Sequence, residues 1–266
     1  MKYKIGFIGC GNMASAMIGG IVKKNILKPE EIIASNRSEG KLVSIKEAYG
    51  IATTTKNEEV SENSEIIVLA VKPIFYENVI KEIKKTIKKS QIIVTIAPGI
   101  DMDRIAYLFG QELKIVRTMP NTPAMVCEGM TAACCNEAIN EEEITEVCRI
   151  LDGFGKTEIV PERLMDAVVA VSGSSPAYVY MMIEAMADAA VAEGMPRNQA
   201  YQFAAQSVLG SAKMVLETGK HPGELKDMVC SPGGTTIAAV MELEKNGFRS
   251  SLMEAMKVCA DKCRNV

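Results

Sequence analysis

The chain has 266 residues, 48% of them apolar and 24% charged, with a formal net charge of −3. That make-up suits a globular protein of one large or two modest domains and excludes disordered and collagen-like classes. One histidine (His221), no tryptophan and 5% aromatics leave little with which to build a histidine triad, a histidine-rich metal cage or a base-stacking platform.

In chain order, residues 4–9 read as a strand and 14–24 as a helix. Strand 32–35, helix 41–48, strand 65–70, helix 74–88, strand 91–96, helix 101–108 and strand 113–119 follow. The strands at 32–35, 65–70 and 91–96 are flatly apolar, as strands covered on both faces are, and the alternation predicts a doubly wound parallel sheet. Within the helix at 74–88, Lys81, Lys84, Lys85, Lys88 and Lys89 share one face and Ile80, Ile83 and Ile87 another, the pattern of a solvated surface helix. With no other basic cluster in the chain, nucleic acid is not an expected partner. A strand pair around 131–134 and 157–160 flanks a helix at 141–151.

Beyond residue 160 the strand signals stop. Helices are predicted at 162–171, 175–193, 196–218, 222–229, 235–245 and 248–262, with Pro196 and Pro222 in first turns and Gly194 and Gly247 as stops. The expected fold is therefore α/β: an N-terminal Rossmann domain over 1–160 and a C-terminal all-helical domain over 161–266. Residues such as Met181, Met182, Met186, Ala187 and Ala204 make the helical half rich in apolar and small side chains, so part of it is expected to pack against a second copy of the chain. Its richest apolar segment, 177–192, is broken by Glu184 and Asp188, and no run reaches the roughly 18 residues of a membrane span.

The eight cysteines, at 10, 127, 134, 135, 148, 230, 259 and 263, show no CxxC spacing, and the chain opens on a strand pattern rather than a signal peptide. Free thiols and a cytoplasmic location are expected. Cys259 and Cys263 share a helical face, but no second pair or nearby histidine completes a metal site.

After the first strand comes GCGNMA at 9–14. Gly9 permits a tight turn, Gly11 lets amides approach a pyrophosphate at the positive end of the helix dipole, and Ala14 takes the small position where helix meets strand. The second strand ends in Ser35, Asn36, Arg37, Ser38, without the carboxylate that would bind a ribose 2′-hydroxyl and repel a 2′-phosphate. That favours NADP(H), with NAD(H) possible. Lys72, before Pro73 at the end of a strand, stands where ligands bind in open α/β sheets. Ser231, Pro232, Gly233 and Gly234 form a turn into the helix from Thr235, and amides converging there make an anion nest; a capping role for Ser231 or Thr235 is the alternative. Ser174 reads as a helix cap, with Pro176 in the first turn.

Besides GCGNMA, the motifs AVKP at 70–73, MPNTPA at 119–124, SGSSPAY at 172–178 and HPGELKDMVCSPGGTTIAAVMELE at 221–244 together resemble pyrroline-5-carboxylate reductase across nearly the whole chain. The resemblance implies NAD(P)H-dependent reduction of the cyclic imine 1-pyrroline-5-carboxylate to L-proline, the last step of proline synthesis, by a homodimer that often assembles further. It places Ile8, Gly9, Cys10, Gly11, Asn12, Met13, Asn36, Asn57, Ala70, Val71, Lys72, Pro73, Ile96, Ala97 and Pro98 along the cofactor and Asn121 near the nicotinamide. Ser231, Gly233, Gly234, Thr235 and Thr236 would hold the substrate, with Thr236 as the catalytic hydroxyl.

A hydroxyacid dehydrogenase of similar layout is the nearest rival, and a non-catalytic NADP-binding protein is another. Alcohol oxidation needs a base, a lysine on the helix opening the second domain in the β-hydroxyacid family, and residues 175–193 contain no lysine. Imine reduction asks only that the ring be positioned and its nitrogen polarised. The reading of Arg37 as the 2′-phosphate ligand predicts that Arg37→Asp lowers the kcat/KM ratio of NADPH to NADH by about tenfold or more; an unchanged ratio in steady-state assays would remove that assignment.

Overall fold

The computed structural model describes residues 1–264, which pack as two units: Met1–Ser174 with the chain from Cys259 onward, and Ser175–Val258. The first unit is built on an eight-stranded sheet in the order β3-β2-β1-β4-β5-β6-β7-β8. Its strands are β1 (Tyr3–Ile8), β2 (Ile32–Ser35), β3 (Ala52–Thr54), β4 (Ser64–Leu69), β5 (Ile92–Thr95), β6 (Lys114–Met119), β7 (Gly129–Cys135) and β8 (Gly155–Ile159). Helices α1 (Asn12–Lys23), α2 (Glu39–Tyr49), α3 (Asn57–Asn63), α4 (Tyr76–Ile83), α5 (Met102–Phe109) and α6 (Glu141–Leu151) connect them.

Successive strand residues point to opposite faces, and the inner strands are apolar on both. Ile5, Phe7, Ile66, Val68 and Val94 pack with Met17, Ile18 and Ile21 of α1 and Val147, Ile150 and Leu151 of α6. Ile8, Ile33, Ile67, Leu69 and Ile93 pack on the other face with Tyr76, Val79, Ile80 and Ile83 of α4 and Ile105 and Phe109 of α5. Buried Tyr76 satisfies its hydroxyl by donating to the Leu69 carbonyl at 2.8 Å, with Thr95 Oγ1 at 2.9 Å.

The structure departs from the sequence reading in four places. Strand β3 and helix α3 occupy a stretch with no strong periodicity, because Ala52–Thr54 is short and only half-buried and α3 buries just Val60 and Ser61. Helix α4 ends at Ile83 instead of running to residue 88: Thr86 Oγ1 donates to the Ile83 carbonyl at 2.7 Å and Gln91 Oε1 accepts from Lys88 N at 2.6 Å, drawing the segment into a turn. Ile87 is still buried and the lysines exposed. The sheet is parallel except at β6–β7, which is antiparallel; the chain reverses through a short turn at Thr122–Val126. The predicted helix at 162–171 resolves into a 3-10 turn (Glu162–Leu164), a short α7 (Met165–Val168) and a π turn (Val169–Gly173). The Ser174 hydroxyl accepts from Cys259 Sγ at 3.1 Å.

The second unit consists of helices α8 (Ser175–Ala192), α9 (Arg197–Thr218), α10 (Pro222–Val229), α11 (Thr235–Lys245) and the greater part of α12 (Phe248–Arg264). Only Ala187, Ala200 and Ala204 are buried in it, whereas Tyr180, Met181, Phe203, Leu216, Met241 and Met253 are among its exposed apolar side chains. These helices carry an apolar surface without a core of their own. Among the described residues, no helix is long and apolar enough to cross a membrane.

In the first unit β7 and β8 start so close together that a Cβ on Gly155 would lie 1.9 Å from the Gly129 carbonyl oxygen. No rotamer relieves a clash with backbone, so Gly155→Ala is expected to destabilise the fold by about 3 kcal/mol, seen as a lower urea midpoint; an unchanged midpoint would contradict the close approach.

Candidate functional site

The strand order reverses between β1 and β4, which opens a crevice beyond the carboxyl ends of those strands. Gly9 leaves β1 with φ +102, and a Cβ there would sit 2.8 Å from the Ala70 carbonyl oxygen and 2.9 Å from Val71 Cγ1. Both the left-handed backbone and the lack of space require glycine. Gly9 N donates to the Ser35 carbonyl and Ala70 N to the Ile8 carbonyl, each at 2.9 Å, tying the ends of β1, β2 and β4 together. Gly11 is the N-cap of α1, with no side-chain cap bond and no acidic residue in the first turn; a Cβ on it would meet nothing within 4 Å. The first-turn amides and the positive end of the helix therefore face open space.

The crevice holds a cavity of about 290 Å³. Gly9, Cys10 and Gly11 line it after β1, Asn36, Arg37 and Lys41 after β2, and Ala70, Val71, Lys72 and Phe75 after β4, with Asn57 of α3 and Val79 of α4. Asn36 Oδ1 accepts from Cys10 N at 3.2 Å, so one loop holds the other. Asn57 is fixed by Ser35 Oγ at 2.7 Å and Glu82 Oε2 at 2.6 Å. Burial pushes the Cys10 thiol up to about 11, against a small opposing pull from Lys41. The ionisable side chains other than Cys10 are three cations, Arg37, Lys41 and Lys72, and no carboxylate lines the cavity. A glycine turn, uncapped amides and three cations fit a dinucleotide pyrophosphate and one further phosphate.

Nine residues expected along the cofactor thus come together here: Gly9, Cys10, Gly11, Asn36, Arg37, Asn57, Ala70, Val71 and Lys72. Ile8 is fully buried in the sheet, and Asn12, Met13, Pro73, Ile96, Ala97 and Pro98 are not among the lining residues. Asn121 is buried and committed within the fold: its Nδ2 donates to the Ser172 carbonyl and its Oδ1 accepts from Met130 N, both at 2.9 Å. Three lining residues went unrecognised in the sequence: Lys41, Phe75 and Val79. Lys41 could have been found as a cation four residues after Arg37 near a helix start, whereas the place of Phe75 depends on the 3-10 turn Pro73–Phe75.

In the helical unit, Gly233 has φ +69, and a Cβ on Gly234 would lie 2.3 Å from Ser231 Oγ. Gly234 N donates to the Ser231 carbonyl at 3.0 Å, closing the turn. Gly234 is the N-cap of α11 and no side chain caps the helix, so neither Ser231 nor Thr235 takes the capping role. Ser231 and Thr235 are exposed and Thr236 is half-buried at the first turn. His221 Nδ1 accepts from Gly223 N at 3.0 Å and caps α10.

Comparison with known proteins is decisive. Over 262 residues the chain is 50% identical to the pyrroline-5-carboxylate reductase of Escherichia coli, covering 98% of this chain and 97% of that one. It belongs to the pyrroline-5-carboxylate reductase family. The family description "Pyrroline-5-carboxylate reductase dimerisation" matches residues 162–266, and "NADP oxidoreductase coenzyme F420-dependent" matches residues 4–99. Among solved structures, a pyrroline-5-carboxylate reductase from Coxiella burnetii is similar with TM-score 0.92 and 33% identity, over 100% of this chain and 98% of that one. The Plasmodium falciparum enzyme with NADP bound is similar with TM-score 0.89 and 34% identity, over 100% and 98%.

At pH 8 a thiol with a pKa near 11 is thiolate in about one molecule per thousand. Cys10 is therefore expected to alkylate with iodoacetamide at least about tenfold more slowly in the folded protein than in urea, read by peptide mass spectrometry. Equal rates would mean that the thiol is not buried at the crevice.

Proposed function

We propose that this protein is an NAD(P)H-dependent oxidoreductase acting on a C=N bond, which reduces 1-pyrroline-5-carboxylate to L-proline in the cytoplasm. The observation that carries the reading is full-length kinship with enzymes of that activity, together with the glycine turn at 9–11. Functionally, residues 1–160 bind NADP(H) in preference to NAD(H), and 161–266 bind substrate and pair with a second copy. A helical unit whose only buried residues are three alanines supports that self-association, because exposed apolar side chains of this number need a partner surface. Eight free cysteines accord with a reducing compartment.

Gly9, Gly11 and Arg37 would hold the dinucleotide, which when bound would supply the hydride for C5 of the imine, and a proton must reach the ring nitrogen for a neutral secondary amine to form. The chain's own part is to hold and polarise. The amides of Gly233, Thr235 and Thr236 hold the substrate carboxylate at the uncapped end of α11, while Gly234 N, bonded to the Ser231 carbonyl, closes the turn. Thr236 hydrogen-bonds the ring nitrogen and helps to relay its proton. No general base is required, which accords with a chain whose one histidine caps a helix.

The test is a spectrophotometric assay of nicotinamide oxidation with pyrroline-5-carboxylate, set against hydroxy acids and a blank without substrate. Turnover confined to the imine is expected, and activity only with hydroxy acids would overturn the reading. Thr236→Ala is expected to lower kcat by roughly 10²-fold as a proton relay; wild-type turnover would displace Thr236 from the mechanism.

A further inference from the structure

At the nucleotide crevice the Arg37 guanidinium carbon lies 5.1 Å from the centroid of the Phe75 ring. The two residues come from loops after β2 and β4, strands that lie on either side of β1, and both line the cavity with Lys41. Phe75 is 37% exposed although large and apolar. Ion pairs elsewhere engage Lys4, Arg104, Lys114 and Arg117, whereas none among the described residues involves Arg37 or Lys41. Two cations and an aromatic ring thus stand at the cavity without a carboxylate to neutralise them.

Stacking uses the face of a guanidinium and leaves its N–H donors at the edge, in the plane that a phosphate approaches. A free arginine samples many rotamers, and ordering it costs side-chain entropy. A ring already beneath it removes part of that cost before the ligand arrives.

We propose that Phe75 is a positioning residue for cofactor choice: it holds Arg37 edge-on to the 2′-phosphate of an adenine nucleotide, and Lys41 supplies the second positive charge to that phosphate. Resting on the NADP(H) reading above, this adds two residues that act on the phosphate monoester and not on the adenine or the pyrophosphate. Phe75 works through Arg37, so its contribution disappears when Arg37 is absent.

Equilibrium binding to the full-length protein tests this without turnover. Adenosine 2′,5′-bisphosphate and 5′-AMP are titrated calorimetrically into wild type and into Phe75→Ala, Phe75→Tyr, Lys41→Gln, Arg37→Ala and the Arg37→Ala/Phe75→Ala double variant. The ratio of the two affinities is the readout, because general loss of structure would weaken both ligands. Phe75→Ala is expected to reduce the preference for the bisphosphate by about three- to fivefold and Phe75→Tyr to restore it. Lys41→Gln is expected to reduce it by about fivefold or more and to flatten its salt dependence. In the Arg37→Ala background Phe75→Ala is expected to change nothing further. An equal loss for both ligands in Phe75→Ala would mean that the ring stacks on adenine, and an unchanged ratio in Phe75→Ala or Lys41→Gln would mean no such role; each outcome overturns the proposal. Wild type that fails to prefer the bisphosphate would instead overturn the NADP(H) reading itself.

Discussion

Between β1 and β4 two backbones pass so closely that a Cβ on Gly9 would lie 2.8 Å from the Ala70 carbonyl oxygen. The close pass follows from strand order, since β2 and β3 extend the sheet on one side of β1 and β4 to β8 on the other, and connections leaving in opposite directions cannot fill the gap between them. The cavity, the exposed amides of α1 and the meeting of Asn36 with the Cys10 amide all depend on that gap. A side chain at position 9 would push the turn away from β4 and close the place where a phosphate meets the helix dipole.

The two packing units solve the problem of burial differently. The sheet unit covers both faces with helices and places ring and aliphatic side chains such as Phe7, Ile18 and Ile67 out of water entirely. The helical unit leaves Met181, Phe203 and Leu216 exposed, and its apolar area is of the kind that protein–protein interfaces cover. Its stability in isolation would be slight, so association is tied to folding and not merely added to it.

The chemistry suits the sparse catalytic inventory. On the proposed mechanism, imine reduction needs orientation, an anion site and one hydroxyl at the nitrogen, and the two glycine turns at helix starts would provide most of that with backbone atoms. Backbone amides do not titrate in the working range and cost no side-chain entropy to order, which makes them suited to fixed anion sites. The side chains proposed to tune the choice of nucleotide lie beyond the turn, after β2 and β4.

Much of this was legible in the sequence because the signals are local. Glycine at 9 and 11 between a strand and a helix, the apolar runs of β2, β4 and β5, and the limits of α10 and α11 each follow from neighbouring residues. The family motifs carried the activity on the same footing. What the sequence did not reveal depended on distant partners: the short β3 finds its edge only against β2, α4 stops where Gln91 and Thr86 take up its last polar groups, and Asn121 is tied to Ser172 and Met130. By itself, then, the sequence determined the fold class, the phosphate turn and the family. Tertiary structure alone decided which cations share one cavity and that Phe75 lies beneath Arg37, because a cation over a ring, from loops 38 residues apart, is set by sheet order and not by any spacing along the chain.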